Sequence, residues 1–534
     1  QVAEHLERAG QPKDAVVWRV KAAEAAERVY ANSEALEQLA KALEDGAQGR
    51  QAFEVHAARA RLYKTLDQQG AWEAALSAMT QLSRQLREPV LEAETALALA
   101  EFDNHAGQYA QALERLNSVA SDPDLPPSLL AQVFFGRGQA LFTLGRADEA
   151  KEQLLQALKH EPWEFSELAG KAYLMLSNSA MGRSNLETAK SHAERALQAF
   201  EATGNRRDKG LALGNLGRLL GIAGDSAGAI RTLERALGET QAAGDIVSQR
   251  RILLNLFKFE FESGALDAAL SHLEAGRSLF KDQPDPLQQG IFLNNLSVVQ
   301  RMRGEFGKAI ETLGEALEVA ERAGIAQGRA RRRMSLVEYY LDLGRAAEAL
   351  PILNEARELI ETAKLDELGA WLLAQYARHD LYTGQPEAAI RRLEPLLNQA
   401  FADPHDGARA AWTLALAWLE LEAPEKALRV VESLEVPPNP PFQARALGAQ
   451  VEAHRRLGQD SAPVIQEAKK LLATGTVPLL EALELYESMI PAARPAKARK
   501  YQQAARELVA KIAASLEAFP EFRAGFLGRH GFLQ

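Results

Sequence analysis

Three asparagines, Asn215, Asn255 and Asn295, stand forty residues apart inside otherwise apolar phrases: Leu213-Gly-Asn-Leu216, Leu253-Leu-Asn-Leu256 and Leu293-Asn-Asn-Leu296. The next two positions in this register hold Ser335 and Gln375, and the preceding one holds Met175. A carboxamide offers a donor and an acceptor together, so a column of amides suits hydrogen bonding to a peptide backbone or to a ligand presenting both. One helical turn along lie Arg218, Lys258 and Arg378, and one turn back lie Arg251 and Arg331, which puts cations on the same helix faces. Such a wall suits an acidic ligand or a terminal carboxylate. The same amides serve equally well to tie neighbouring helices together, and the sequence leaves both uses open.

Other chemistry is hard to assemble. Cys is absent, which removes disulfides, thiolate zinc sites and cysteine nucleophiles. The ten histidines form no His-x-x-x-His pair, so no metal site is expected. Gly304-Glu-Phe-Gly307-Lys308-Ala309 has the wrong glycine spacing for a phosphate loop and lacks its hydroxyl. No strand precedes Gly210, Gly214 and Gly217, so close helix packing explains them better than dinucleotide binding. Asp282 with Asp285, and Asp403 with Asp406, fall between repeats, where turns and N-caps are the expected uses. The run Arg329-Ala-Arg331-Arg332-Arg333 fans around a helix, either as a solvated face with ion pairs or as a dock for an acidic segment. With no nucleophile, base and oxyanion site in view, neither a catalytic residue nor a cofactor is expected.

The elements that position these residues are written as a comb. Gly224, Gly264, Gly304, Gly344 and Gly384 recur every forty residues, and each opens a phrase closed by alanine: Ala229, Ala269, Ala309, Ala349 and Ala389. The register extends back through Ser184, Gly145, Gly107 and Gly70, and forward to Glu422 and Gly458. A glycine ends one helix in a left-handed turn, and the small alanine lets the next helix approach. Alanine, leucine, glutamate and arginine dominate while β-branched residues are sparse, a helical bias. Over 534 residues the net charge is −10, which opposes direct nucleic acid contact. No apolar run is long enough to span a bilayer, so a cytoplasmic home without membrane contact is expected.

The pattern resembles the tetratricopeptide repeat, whose usual period is about 34. The resemblance covers nearly the whole chain. It implies an all-α fold: a tetratricopeptide-like α-solenoid, a right-handed superhelix of helix-turn-helix repeats with a period of about 36–40. Residues 1–50 are expected to be irregular helical repeats, 51–475 the tandem array, and 476–534 capping helices and a tail, with a proline-rich break at Val436-Pro-Pro-Asn-Pro-Pro441. In this family the amide slot on the first helix faces the concave groove. The asparagine column is similar to those of kinesin light chain and bacterial peptide-pheromone receptors, which grip an extended peptide backbone.

The ends carry a second resemblance. Val2-Ala-Glu-His-Leu-Glu-Arg-Ala-Gly-Gln-Pro-Lys-Asp-Ala15 resembles the stretch that follows the ATPase module of STAND-type bacterial regulators, including maltose-regulon activator-like proteins. Phe522-Arg-Ala-Gly-Phe-Leu-Gly-Arg529 is similar to their C-terminal tails. This implies the sensor arm of a bacterial transcriptional or signalling regulator, with an ATPase or output domain upstream. The start of the chain at Gln1, within an amphipathic helical pattern, fits a fragment. The expected partner is a protein or peptide, or a small-molecule effector, bound around Asn215, Asn255 and Asn295. The rival expectation is a constitutive scaffold that assembles partners and senses nothing.

Overall fold

The protein is described by a computed structural model that covers the chain except residues 1, 10, 29–30, 121–123, 183–184, 282, 398–403, 434–439 and 532–534. Of the positions singled out above, Gln1, Gly10, Ser184, Asp282, Asp403 and the core of the proline-rich break (436–439) therefore lie outside the described residues. Among the described residues every element is helical and no strand occurs, so the chain is an all-α solenoid. It divides into two compact units, Gln1–Asp245 and Ile246–Gln534. No helix is long and apolar enough to cross a membrane.

The glycine teeth from Gly107 to Gly458 end their helices in the same way. At Gly224, with φ +91°, the glycine N–H donates to the Gly221 carbonyl at 3.0 Å and the Asp225 N–H donates to Leu220 at 2.9 Å. This pair of bonds satisfies carbonyls that the helix end would otherwise leave orphaned. Asp225 then caps the second helix, Ser226–Ala242, by accepting the Gly228 N–H at 2.8 Å. The alanines that follow the teeth, from Ala112 to Ala427, are fully buried, as close helix packing requires. Among the described teeth, two are not glycine. Glu422 holds φ +52° at the turn, as its register implies. In the earliest of these repeats the turn belongs to Asp67 (φ +53°), because Gly70 lies within the helix Gln69–Leu86. With Asp67 as the tooth, the buried Trp72 takes the place of the junction alanine.

In the first unit, glycine spacing in the helix Arg206–Ile222 reflects packing. A Cβ on Gly210 would stand 2.5 Å from the Thr240 side chain, and one on Gly217 would stand 2.7 Å from Leu233. The second unit strings first helices Ile246–Glu262, Pro286–Met302, Ala326–Asp342, Gly369–Tyr382, Pro404–Glu420 and Pro440–Arg456 on the same comb. Three further helices follow: Leu479–Ala492, Pro495–Ser515 and Pro520–His530.

These last helices do more than cover the final repeat. Leu485, Met489 and Tyr501 pack on Ala444 and Leu447. Beyond that, Leu480, Ile512, Leu516, Phe522 and Phe526 form one core with Phe306 and Leu343, from repeats well over a hundred residues earlier in the chain. Phe306 is therefore fully buried, whereas Leu266 at the equivalent position is only partly so. The contact is made backbone to backbone at glycines. A Cβ on Gly307 would stand 2.4 Å from the Ser515 carbonyl oxygen, and one on Gly344 would stand 2.5 Å from that of Gly525. The non-matching phosphate-loop string at Gly304–Lys308 thus has a packing explanation.

Candidate ligand-binding cavity

The six first helices of the second unit and the helix Leu479–Ala492 enclose a cavity of about 510 Å³, a size that holds a small organic ligand. The comb explains which residues reach it. Nine positions before the tooth lie Asn295, Ser335, Gln375 and Thr413, and six before it lie Lys258, Val298, Glu338 and Arg378; all eight line the cavity. Repetition of one helix hairpin brings one register to one wall. Phe257, Phe261, Met302, Trp412 and Phe442 supply apolar walls, and Arg301, Arg409, Arg445, Glu481 and Glu262 are among the charged residues of the lining.

The predicted residues separate into groups. Asn215 and Arg218 belong to the first unit, where the Asn215 amide donates to Asn178 Oδ1 at 2.6 Å and ties two first helices together. Ser335 donates to Asn294 Oδ1 at 3.2 Å, and Gln375 donates to Glu338 Oε1 at 2.9 Å, which are bridges of the same kind. Asn295 lines the cavity, and neither it nor Asn255 has a side-chain hydrogen bond among the described residues. Asn255, Arg251 and Arg331 do not line the cavity, and both arginines are exposed. Lys258 and Arg378 do line it. The amide register thus contains bridging residues and residues left open.

The rest of the arginine run disperses as its helical spacing implies. Arg329 pairs with Glu321 at 2.7 Å and Arg333 with Glu355 at 2.9 Å. Arg332 is buried without a carboxylate partner among the described residues; burial, with Arg331 beside it, pushes its pKa down to about 10. Asp285 caps its helix, accepting the Gln288 N–H at 3.1 Å, and Asp406 pairs with Arg409 at 3.0 Å.

The cavity floor is an ion network. Asp342 is fully buried at the end of its helix; it accepts from Arg301 Nε at 2.7 Å and from Arg378, with Arg445 3.8 Å away. Burial alone would raise its carboxyl pKa, yet these three guanidiniums hold it well below the usual carboxylate range. Glu481, carried in by the C-terminal helices, stands 3.2 Å from Arg301 and 3.1 Å from Arg445. Arg445 lies over the Trp412 ring at 4.4 Å, a stacked cation. Behind it the Tyr382 hydroxyl accepts from Arg529 at 3.1 Å and Arg378 at 3.4 Å; burial opposes its ionisation, and the two guanidiniums outweigh burial and lower its pKa.

Sequence reasoning missed Glu338 and Thr413, which sit on the same two registers but are neither amides nor cations. It also missed Arg445, Trp412 and Glu481; the last is 180 residues from its partner Arg301, with no local signal to announce it.

Comparisons with known proteins bear on the fold. The tetratricopeptide repeat family model matches residues 131–162. No curated protein matches the chain. Among solved structures the chain is similar to a Rap protein complexed with competence and sporulation factor, at 16% identity, covering 65% of this chain and 97% of that one with a TM-score of 0.42. It is also similar to the apo form of RapI, at 11% identity, covering 65% and 98% with a TM-score of 0.49. Aspartyl phosphate phosphatase F from Bacillus subtilis matches at 13% identity, covering 64% and 93% with a TM-score of 0.41. Residues 131–162 are a tetratricopeptide repeat, and the chain around them is an all-α solenoid of helical hairpins, a fold that presents surfaces for binding.

Proposed function

We propose that this chain is a non-catalytic binding arm, the sensor or regulatory region of a cytoplasmic bacterial transcriptional or signalling regulator, and that its ligand enters the cavity of the second unit. One observation carries the reading: a single register of the comb brings Asn295, Ser335, Gln375 and Thr413 to the wall of one cavity beside Trp412 and Phe442, and the Asn295 amide has no side-chain hydrogen bond among the described residues. A carboxamide open to a cavity with apolar walls offers a guest both a donor and an acceptor. An upstream ATPase or output domain would read the bound state. The test is a thermal-shift screen of metabolites and short peptides on the intact chain, repeated with Trp412→Ala, Asn295→Ala and Asn255→Ala. Shifts lost in the first two and kept in the third are expected, and hits indifferent to Trp412 and Asn295 would remove the cavity from consideration.

A second reading, the constitutive scaffold, is supported by the loop between helices at 161–166, where Trp163 is 73% exposed with Phe165 nearby. Exposed aromatics of this size suit protein docking. Pull-downs whose partners depend on Trp163 and are unchanged by cavity hits would favour it.

A further inference from the structure

The charge of the chain is unevenly distributed. Residues 494–511 hold Arg494, Lys497, Arg499, Lys500, Arg506 and Lys511 against one acid, Glu507, a net +5 in a chain of net −10, so the rest of the chain sums to −15. The stretch is the helix Pro495–Ser515 with the residue before it, and all six cations are exposed.

Surface cations elsewhere in this protein take an acid three or four residues away on the same helix. Arg146 pairs with Glu149 at 2.7 Å, Arg455 with Glu452 at 2.6 Å and Lys41 with Glu37 at 2.6 Å. In Pro495–Ser515 Glu507 stands four residues before Lys511, but it accepts from the Gln503 amide at 3.2 Å. Arg494, Lys497, Arg499, Lys500 and Lys511 have no ion pair among the described residues, and neither has Arg523 on the next helix, Pro520–His530. Of the acids nearby in the chain, Glu521 is held by Arg345 at 2.7 Å, and Glu517 lies exposed between the two helices.

The same two helices leave a hollow of about 370 Å³. Val509 and Ala513 are buried beneath it, the exposed Ala510 and Ala514 and the half-buried Leu527 give it apolar sides, and Arg506 and Arg523 line it, one from each helix. Arg499, Arg506, Ala510 and Ala513 follow one another at helical spacing, so cations and hollow share a face. The hollow has room for a large apolar side chain, with positive charge on both sides of it.

The surroundings select the occupant. The apolar side of Pro495–Ser515 is packed inward through Tyr501, Ala505 and Ile512, and among the described residues neither helix exposes a large hydrophobic side chain, so nothing is left to insert into a membrane. No aromatic of either helix is exposed to stack on a base, and the remaining −15 repels a long polyanion. We propose that this face docks an acidic protein segment with one bulky apolar residue set among its carboxylates. The apolar side chain fills the hollow, and the flanking carboxylates meet Arg499, Arg506 and Arg523. No residue of this face lines the cavity discussed above, so the two readings stand or fall separately.

The experiment uses the full chain and labelled synthetic peptides in which Leu, Phe or Trp stands between runs of Glu, read by fluorescence anisotropy. At least one is expected to bind, with affinity falling about tenfold between about 0.05 and 0.5 M salt, and its counterpart with Ser at the centre is expected to bind more weakly. Arg499→Glu with Arg523→Glu, both exposed and without ion pairs, should weaken binding about tenfold or more at an unchanged melting temperature. Ala510→Lys separates the hollow from bare charge: it adds a cation but fills the hollow, and weaker binding is expected. Tighter binding in Ala510→Lys, or a Ser peptide that binds as well as the others, would overturn the apolar anchor and with it the proposal. Single-stranded oligonucleotide or phosphatidylserine vesicles bound more tightly than every peptide would overturn the partner class. Self-association lost on charge reversal, or no peptide binding sensitive to these substitutions, would overturn it as well.

Discussion

The Asp342→Asn substitution tests the ion network directly. Asp342 is fully buried, and the side chains of the arginines around it are only 13% (Arg301), 7% (Arg378) and 8% (Arg445) exposed. Removing the negative charge leaves these guanidiniums short of one counter-charge in a low-dielectric setting, which costs about 3–5 kcal/mol. At roughly 2–4 °C per kcal/mol for domains of this general size, the second unit's melting temperature should fall by roughly 6–20 °C. The sign with pH is fixed by the depressed carboxyl pKa. A carboxylate held below its unfolded value contributes stability that is complete above about pH 4 and is lost as pH falls toward the folded value. Wild type should therefore lose its advantage over Asp342→Asn progressively below about pH 4, and the two melting curves should converge. Because the chain has two units, amide exchange must localise the effect, with faster exchange expected in Pro440–Arg456 and Leu479–Ala492 and none in the first unit. A melting temperature within about 2 °C of wild type at neutral pH, or a gap that stays constant to low pH, would refute the reasoning.

Four other outcomes follow from single contacts. Gly307→Ala places a Cβ 2.4 Å from the Ser515 carbonyl oxygen, so limited proteolysis should cut the C-terminal helices sooner, with a stability loss of about 1–3 kcal/mol. Asn215→Ala breaks the 2.6 Å bond to Asn178 and should cost about 1 kcal/mol in denaturant unfolding, whereas Asn295→Ala should cost less than about 0.5 kcal/mol. Glu422→Gly relieves a left-handed turn at φ +52° and should raise the unfolding midpoint slightly, by up to about 1 kcal/mol of stability. Arg332→Met removes a buried cation whose folded pKa lies below its ordinary value, so charging disfavours folding at neutral pH and the variant should be more stable than wild type by about 1 kcal/mol.

The fold was legible because one physical requirement repeats. A helix that must end and reverse needs a left-handed residue there, and glycine accepts that conformation without a Cβ penalty; hence Gly224 to Gly384 can be read directly. Where the same conformation is held by Asp67 or Glu422, local backbone bonds such as Glu422 N–H to Leu419 at 3.1 Å make the turn without the usual letter, and at Asp67 the comb was misread by three residues. The wall of the cavity was legible to the extent that it is periodic. Asn295, Ser335 and Gln375 fell on a visible register, and Lys258 and Arg378 on a second. The register names a helix face but not what the face meets. Asn215 therefore looked the same as Asn295, although one is tied to Asn178 and the other has no hydrogen bond of that kind.

The least legible residue is the one that completes the site. Glu481 belongs to no repeat, and it reaches Arg301 because Phe522, Phe526 and Leu516 dock on Phe306 and Leu343. That docking adds Glu481 as a counter-charge between Arg301 and Arg445, so the cavity has its full wall only while the C-terminal helices are seated. Linkage then fixes the sign of the coupling: a guest that fits the cavity only with Leu479–Ala492 in place binds the seated form and stabilises it by RT ln(1 + [L]/Kd). Its binding must slow amide exchange in Leu479–Ala492, and Gly307→Ala, which unseats those helices without touching the cavity lining, must weaken it. Equal affinity in Gly307→Ala with the helices shown to be loosened would mean that the guest does not depend on the seated helices at all.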